Sequence, residues 1–328
     1  MADLTTCYMG IELANPLVVA ASGLTSTAAG VAKAARAGAG AIVLKSLFEE
    51  QIAAELDPAA AALDAGAHPE SEAFLARAGW DTGAADYIKL IREAKKASEG
   101  VPVIASINCK GAARWAEFAG RIQEAGADGL ELNIAFMPES LDEKGAAIEE
   151  LVIRSVREAR AATKLPLAVK LGSSYTNLGN IALALEKAGA QGLVLFNRFF
   201  RLDVDLDKLA LTAGPIRSSP DDYCESLRWI SILYDRVGCD VAAGTGVYDA
   251  EAALRLVLAG ASAVQLCSVL YRRGWAAITE IRNGMASWMD AKGELSVAKL
   301  KGRLCQWKAQ APKDYLRLQY IQALTGIS

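Results

Sequence analysis

Short apolar runs and alanine-rich amphipathic segments alternate along this chain. Four of the runs follow the same kind of helix-ending tetrapeptide. Ala37-Gly38-Ala39-Gly40 leads into AIVLKS, Ala125-Gly126-Ala127-Asp128 into GLELN, Ala188-Gly189-Ala190-Gln191 into GLVLFN, and Ala259-Gly260-Ala261-Ser262 into AVQLCS. Glycine adopts the left-handed conformation that stops a helix, and a short, continuously apolar run after it suits a parallel strand covered on both faces. NPLVVAAS, VPVIASIN, LPLAVKLG and CDVAAGTG complete a set of eight strands, the first three of these introduced by proline. Between the strands, VAKAARAG, WAEFAGRIQEAG, IALALEKAG and AEAALRLVLAG place apolar residues at three- and four-residue spacing, as amphipathic helices do.

Eight such alternations predict an α/β fold, a (β/α)8 TIM barrel forming a single domain over residues 1–328. The chain exceeds a minimal barrel of about 250 residues, and the surplus falls in three places. One excursion follows the second strand, from Leu47 to about Trp80. Another follows the sixth, from Arg198 to about Asp222, where LDVDLDKLAL alternates like an exposed hairpin strand. The third is a helical C-terminal tail after Tyr271, beginning GWAAITEIRNGMASWMDAKG. Within it, KGRLCQWKAQAPKDYLRLQY reads as a helix packed on its own barrel, with a partner-binding helix as the alternative. A doubly wound open sheet is the competing architecture, but a G-x-G-x-x-G after the first strand and a clear topological break are both missing.

In a barrel the C-terminal strand ends converge on one face, so the polar residues there share a pocket. In chain order they are Ser22, Lys45 with Ser46, Ser106 with Asn108, Asn133, Lys170, Asn197, Gly244-Thr245-Gly246 and Cys267-Ser268. A lone serine or asparagine at such a position is often a turn former. Lys45 and Lys170 differ, because an ammonium inside AIVLKS or LAVKLG is costly to bury without an anion or acceptor nearby. The glycines around Thr245, followed by a helix starting near Asp249, and the Cys267-Ser268 turn match the usual barrel phosphate site. Two lysines, several amides and a phosphate cradle fit flavin mononucleotide (FMN), with a cation near the ring to stabilise its reduced anion. They equally fit a phosphosugar aldolase or isomerase that forms a Schiff base on Lys170 or Lys45.

Composition narrows the partners. The chain is 52% hydrophobic and carries a net charge of -3, which excludes disorder and gives no basic footprint for nucleic acid or a membrane surface. Its apolar runs stop well short of a membrane span, and no secretory leader is evident, so a cytoplasmic enzyme or binding protein is expected. The six cysteines are scattered without C-x-x-C pairs and His68 is the only histidine, which argues against zinc and against a disulfide framework. His68, in AGAHPES, reads as a solvated loop residue.

ELANPLVVAASGLT, AIVLKS, VPVIASIN, LELN, LAVKL, FN and GTGVYDAEAALRLVLAGASAVQLCS resemble, in order and spacing, the class 1 dihydroorotate dehydrogenases. These are barrel flavoproteins that oxidise dihydroorotate to orotate with FMN, in pyrimidine biosynthesis. The resemblance covers nearly the whole chain. It implies that Ala21, Ser22 and Gly23 line the flavin, and that Lys45, Ser46, Asn108, Asn133 and Lys170 contact its ring or ribityl chain. Gly244, Thr245, Gly246, Cys267 and Ser268 would hold its phosphate. Lys45, Asn133 and Asn197 become the catalytic candidates, and a homodimer or a redox partner protein the expected assembly.

The chain also departs from that pattern. The family usually has Gly-Gly where Thr245-Gly246 stands, and Gly-Thr where Cys267-Ser268 stands. After the fourth strand it reads Asn-Leu-Ser-Cys-Pro-Asn, or serine for that cysteine, with the Cys or Ser as general base. Here the matching residues are Asn133-Ile134-Ala135-Phe136-Met137-Pro138, and a phenyl ring takes no proton. The Asn-Ser pair after the sixth strand becomes Asn197-Arg198, and ARAGWDTG before the second helix has no asparagine. The chain thus resembles the dihydroorotate dehydrogenase-like branch, with the flavin half kept and the substrate half replaced. Phe136 and Met137 are expected to cover the flavin face. Cys109, beside Asn108, is the first substitute base to consider, and Tyr175 in GSSYTN the second. A non-catalytic flavin-binding or electron-transfer subunit is the rival from another functional class.

Overall fold

The computed structural model describes residues 2–48, 85–109, 112–136, 138, 140–198 and 201–309. Two short antiparallel strands, β1 (Thr6–Tyr8) and β2 (Ile11–Leu13), form an N-terminal hairpin. The eight apolar runs then supply β3 (Leu17–Val19), β4 (Ala41–Val43), β6 (Val103–Asn108), β7 (Gly129–Asn133), β8 (Leu167–Leu171), β9 (Gly192–Leu195), β12 (Asp240–Ala243) and β13 (Ala263–Leu266). All eight are parallel, in the order β4-β3-β13-β12-β9-β8-β7-β6, and β4 pairs with β6 to close the barrel. A two-residue strand, β5 (Leu47–Phe48), adds to β6. Helices follow the strands around the outside, as in a TIM barrel. At the second position of the four tetrapeptides, Gly38, Gly126, Gly189 and Gly260 have φ of 89°, 90°, 108° and 132°, the conformation for which glycine was needed.

Alternation along each strand sorts side chains into two layers. Val18, Ala41, Val43, Ile104, Ala168 and Ala242 turn into the lumen and cluster with Tyr8 and Met9. Their neighbours Val19, Ile42, Val103 and Val169 face the helices in a larger core. Alanine and glycine recur on the lumen side, which leaves room for the β1–β2 hairpin to fill its N-terminal end. A Cβ on Gly192 would stand 2.8 Å from Met9 Cγ and 3.0 Å from the Tyr8 hydroxyl, so only glycine lets the plug seat. The Tyr8 hydroxyl is buried with no hydrogen-bond partner among the described residues. Burial, with the negative charges of Glu131 and Asp240, raises its pKa well above the usual tyrosine value. Tyr8→Phe removes that orphan donor, and is expected to stabilise the protein by about 1–3 kcal/mol, read as a higher urea midpoint at unchanged slope.

The excursion after the sixth barrel strand is present, with one correction. LDVDLDKLAL is not one strand. It forms β10 (Leu202–Asp205), a turn, and the start of the antiparallel β11 (Ala210–Ala213). The reversal occurs because the Asp205 carboxylate accepts from the Asp207 and Lys208 N–H groups at 3.1 and 3.0 Å, an Asx-type turn. In the tail, helices run over Ala276–Lys292 and Val297–Leu300. Residues 301–309 are turns ending in a 3-10 segment rather than an α-helix. Gly302 breaks the pattern at φ 70°, and Gly302 and Leu304 donate to Val257 and Leu258, so this stretch does pack on its own barrel. The rest of that segment, and most of the first excursion with His68 and ARAGWDTG, lie outside the described residues. Among those described, no helix is long and apolar enough to cross a membrane.

Candidate functional site

Above the apolar part of the lumen, the inward positions turn polar. Ser106 of β6, Glu131 and Asn133 of β7, Lys170 of β8 and Gln265 of β13 occupy them, with Lys45 just past β4. Two hydrogen-bond networks organise these groups. In the first, Asn197 Nδ2 donates to Asn133 Oδ1 at 2.6 Å, and Asn133 Nδ2 to Ser46 Oγ at 3.4 Å. Ser46 and Ser106 share a 2.8 Å hydroxyl contact. Tyr87 fixes the Ser106 backbone by donating to its carbonyl and accepting from its N–H, both at 2.8 Å. In the second network, Lys170 Nζ donates to Gln265 Oε1 at 2.9 Å, and Gln265 Nε2 to Glu131 Oε2 at 2.6 Å. Glu131 Oε1 lies 3.9 Å from Lys170 Nζ. The anion that Lys170 required is therefore supplied by the barrel itself. Lys45, half-buried, has no ion-pair or side-chain hydrogen-bond partner among the described residues, so its charge is available to a ligand.

At the other end the loops after β12 and β13 meet. Thr245 sits at φ 71°, rare for a β-branched residue, with its hydroxyl donating to the Phe196 carbonyl at 3.1 Å. Gly246, at φ 77°, passes so close to the start of the preceding helix, Tyr223–Leu233, that a Cβ would come within 2.2 Å of the Tyr223 nitrogen. Ser218 bridges the two loops: Gly246 N–H donates to its hydroxyl at 3.3 Å, and its own N–H donates to Ser268 Oγ at 3.0 Å. Arg217 lies over the Tyr271 ring and Arg272 over Tyr248, which adds two cations to this end. Burial pushes the Cys267 thiol up, against the opposing pull of Lys170, the Ser22 hydroxyl and Arg217. Ser22 itself caps the short turn of helix Gly23–Thr25, and a Cβ on Gly23 would stand 3.1 Å from the Tyr271 hydroxyl.

Among the described residues, three of the cavities open on this face. One of about 220 Å³ runs from Ala21, Lys170 and Gln265 to Gly246, Ser218 and Ser268. A second, of about 420 Å³, shares Phe196, Asn197, Arg198 and Thr245 with it and extends to Ser173 and Glu225. The third, about 390 Å³, is walled by Ile134, Phe136, Ile148, Val152 and Tyr175 with Glu149 at its edge. Phe136 was expected over the flavin face. Its half-buried ring packs with the apolar core in the wall of this third cavity, among side chains of its own kind, and is not in the lining of the other two. Met137 lies outside the described residues.

Three other residues noted in the sequence have particular surroundings. Cys109, 3% exposed, faces the core between barrel and helices, because it follows the inward-facing Asn108 by one residue. Tyr175 is pushed up to about 12 by burial and by Glu149, so near neutral pH it is a phenol that can donate but not a base. Arg198 is used by the protein. Its guanidinium donates to Asp222 at 2.8 Å and to the carbonyls of Ile216, Pro215 and Arg217, which pins the base of the excursion. Burial works against the Asp222 carboxylate, yet hydrogen bonds from Ser219 and the charges of Arg198 and Arg201 hold its pKa below the usual range. Glu131, Gln265 and Ser218 were not singled out from the sequence. A carboxylate inside LELN and an amide inside AVQLC were the available signals for the first two, and Ser218 carried none beyond a turn-like composition.

A family model for dihydroorotate dehydrogenase matches residues 3–289, a span that takes in all eight barrel strands and ends inside the helix Ala276–Lys292. The chain belongs to the dihydroorotate dehydrogenase family. Members of this family are flavin-dependent oxidoreductases acting on a CH–CH bond, and the chain is an enzyme of that class. It is 28% identical over 319 residues to the catalytic subunit of dihydroorotate dehydrogenase B (NAD(+)) of Methanothermobacter thermautotrophicus, covering 91% of this chain and 97% of that one. The catalytic subunit of the same name from Thermoplasma acidophilum is 29% identical over 308 residues, covering 92% and 99%. That from Methanosarcina acetivorans is 30% identical over 301 residues, covering 89% and 93%. The family match thus rests on the full barrel, strand ends included.

Proposed function

We propose that this dihydroorotate dehydrogenase family member binds FMN noncovalently across the C-terminal face of the barrel, and oxidises a CH–CH bond of dihydroorotate or a closely related compound in pyrimidine biosynthesis. One observation carries the reading: a single cavity has a paired lysine at one end and, at the other, a glycine turn with serine donors and two nearby arginines. That donor set suits a ring that gains negative charge and a phosphate that already has it. Lys45, Ser46, Asn108, Asn133 and Lys170 would face the ring or ribityl chain, and Ala21, Ser22 and Gly23 would line it. Gly244, Thr245, Gly246, Cys267 and Ser268 would hold the phosphate, with Ser218 as an addition. The flavin supplies hydride acceptance when bound.

The chain's own residues supply positioning. Asn133 and Asn197, locked to each other at 2.6 Å, present amide groups whose orientation is fixed before a substrate arrives. Lys45 brings an unpaired cation to the same mouth. The position where the family keeps its general base holds a phenyl ring, so proton removal from carbon lacks the usual side-chain acceptor. Because the relatives are catalytic subunits by name, a redox partner subunit is part of this proposal.

A specific observation also favours a second reading, that of an electron-transfer flavin subunit. Phe136 replaces the base, and Arg198, in place of the substrate-side serine, spends its donors on the protein. Anaerobic titration of the FMN-loaded protein with dihydroorotate, NADH and reduced ferredoxin separates the two. Bleaching by dihydroorotate alone supports the enzyme, whereas bleaching only by NADH or ferredoxin supports the electron carrier. A colourless protein that cannot be reconstituted with FMN, and is trapped by borohydride with a sugar phosphate on Lys170 or Lys45, would replace both with an aldolase.

A further inference from the structure

We propose that Glu131 is a positioning residue that sets the charge Lys170 presents to the cofactor. The inference rests on the FMN reading above. Glu131 is 1% exposed in the middle of β7, with Leu130 and Leu132 on either side turned toward the helices. A buried carboxylate there is expensive unless it is paired. Its partners come from two other strands: Lys170 from the adjacent β8, and Gln265 from β13, four strands away in the sheet order.

The amide of Gln265 can be oriented only one way, since its oxygen accepts from Lys170 and its nitrogen donates to Glu131. A directional relay therefore runs from the ammonium through the amide to the carboxylate. Glu131 Oε1 makes no hydrogen bond among the described residues and faces Lys170 at 3.9 Å, so it acts on the lysine by charge. Tyr8 from β1 and Tyr87 from the helix over residues 85–97 also lie within the field of Glu131, and both are uncharged phenols at neutral pH, Tyr87 with its pKa raised by burial. Lys170 is thus the one charged partner these contacts give Glu131. The lysine lines the cofactor cavity and Glu131 does not, so the carboxylate tempers the lysine's field from behind.

Glu131→Gln keeps the shape and the hydrogen-bonding capacity but removes the counter-charge. Lys170 then favours a reduced, more negative cofactor more strongly. At the effective dielectric of a protein interior, such a change corresponds to about tenfold or more in the relative affinity for reduced over oxidised FMN. For a two-electron couple that is a rise of about 30 mV. The measurement is the reduction potential of FMN bound to wild type, Glu131→Gln and Glu131→Asp, by equilibration with reference dyes. The expected result is a higher potential in Glu131→Gln and a near-wild-type value in Glu131→Asp, which keeps the charge. If Glu131→Gln does not fold, the double variant Glu131→Leu/Gln265→Leu serves with the same sign, since it removes the carboxylate together with the amide bonded to it and should raise the potential. An unchanged or lowered potential in FMN-loaded Glu131→Gln overturns the inference, as does an equal rise in Glu131→Asp. Wild type that binds no FMN at all would instead remove the cofactor reading on which the inference stands.

Discussion

Lys170→Met is expected to lose about 3–5 kcal/mol of folding stability, a large effect for one surface-lined cavity residue, because it strands the Glu131 carboxylate in the barrel lumen. The magnitude follows from what remains. With the ammonium gone, Gln265 loses the donor to its oxygen, and Glu131, 1% exposed, keeps a single hydrogen bond from the amide nitrogen. A buried charge without a partner is the costly member of a broken pair, whereas removing both members is far milder. The double variant Lys170→Met/Glu131→Gln should therefore recover most of the loss, and urea unfolding of the four proteins in the cycle measures the coupling directly. Additive losses would show that the 3.9 Å approach of the two charges carries no energy. On the FMN reading proposed above, the single variant Lys170→Met should also hold FMN with a lowered reduction potential.

The barrel was legible because its signals are local. Each helix-ending glycine and each continuously apolar strand is written within a few residues, and Gly38, Gly126, Gly189 and Gly260 all took the positive φ their motif demanded. The mouth of the barrel was legible for a related reason: a strand end fixes which polar residues face the pocket, whatever the neighbouring strands contain. What the sequence did not disclose are pairings that span it. Lys170 meets Gln265 across 95 positions, and Gln265 meets Glu131 across 134, so neither partner could be read from spacing. Ser218 became a bridge only because the excursion folds back between the loops after β12 and β13. The side on which a residue stands was the other blind spot. Cys109 and Asn108 are adjacent, yet alternation sends one to the helices and the other to the lumen. Phe136 was marked by its family position alone, and only the fold places its ring in the wall of an apolar cavity with Ile134, Ile148 and Tyr175.

Turnover of dihydroorotate by the wild-type protein is expected to be about 10²- to 10⁴-fold slower than in an enzyme of this family that keeps its cysteine or serine base in place, the usual contribution of general base catalysis. Neither substitute proposed from the sequence is poised to make up the difference. Tyr175, with a pKa pushed up to about 12, keeps its proton near neutral pH, and Cys109 points away from the lumen into the core. Phe136→Cys and Phe136→Ser are the tests. Each should raise kcat on dihydroorotate, by less than the full factor, because a side chain placed in the third cavity must swing toward the first before it can reach a substrate held by Asn133 and Asn197. The rate with Phe136→Cys should increase as pH rises toward the thiol's pKa, a dependence the wild type should lack. Phe136→Ala separates shape from chemistry: it opens the cavity without adding an acceptor, and so should leave kcat on dihydroorotate low. Wild-type turnover that matches the Cys and Ser variants, with Phe136→Ala equally fast, would mean that proton removal never depended on this position. The base would then have to be sought on the first excursion, or in solvent admitted through the second cavity beside Asn197.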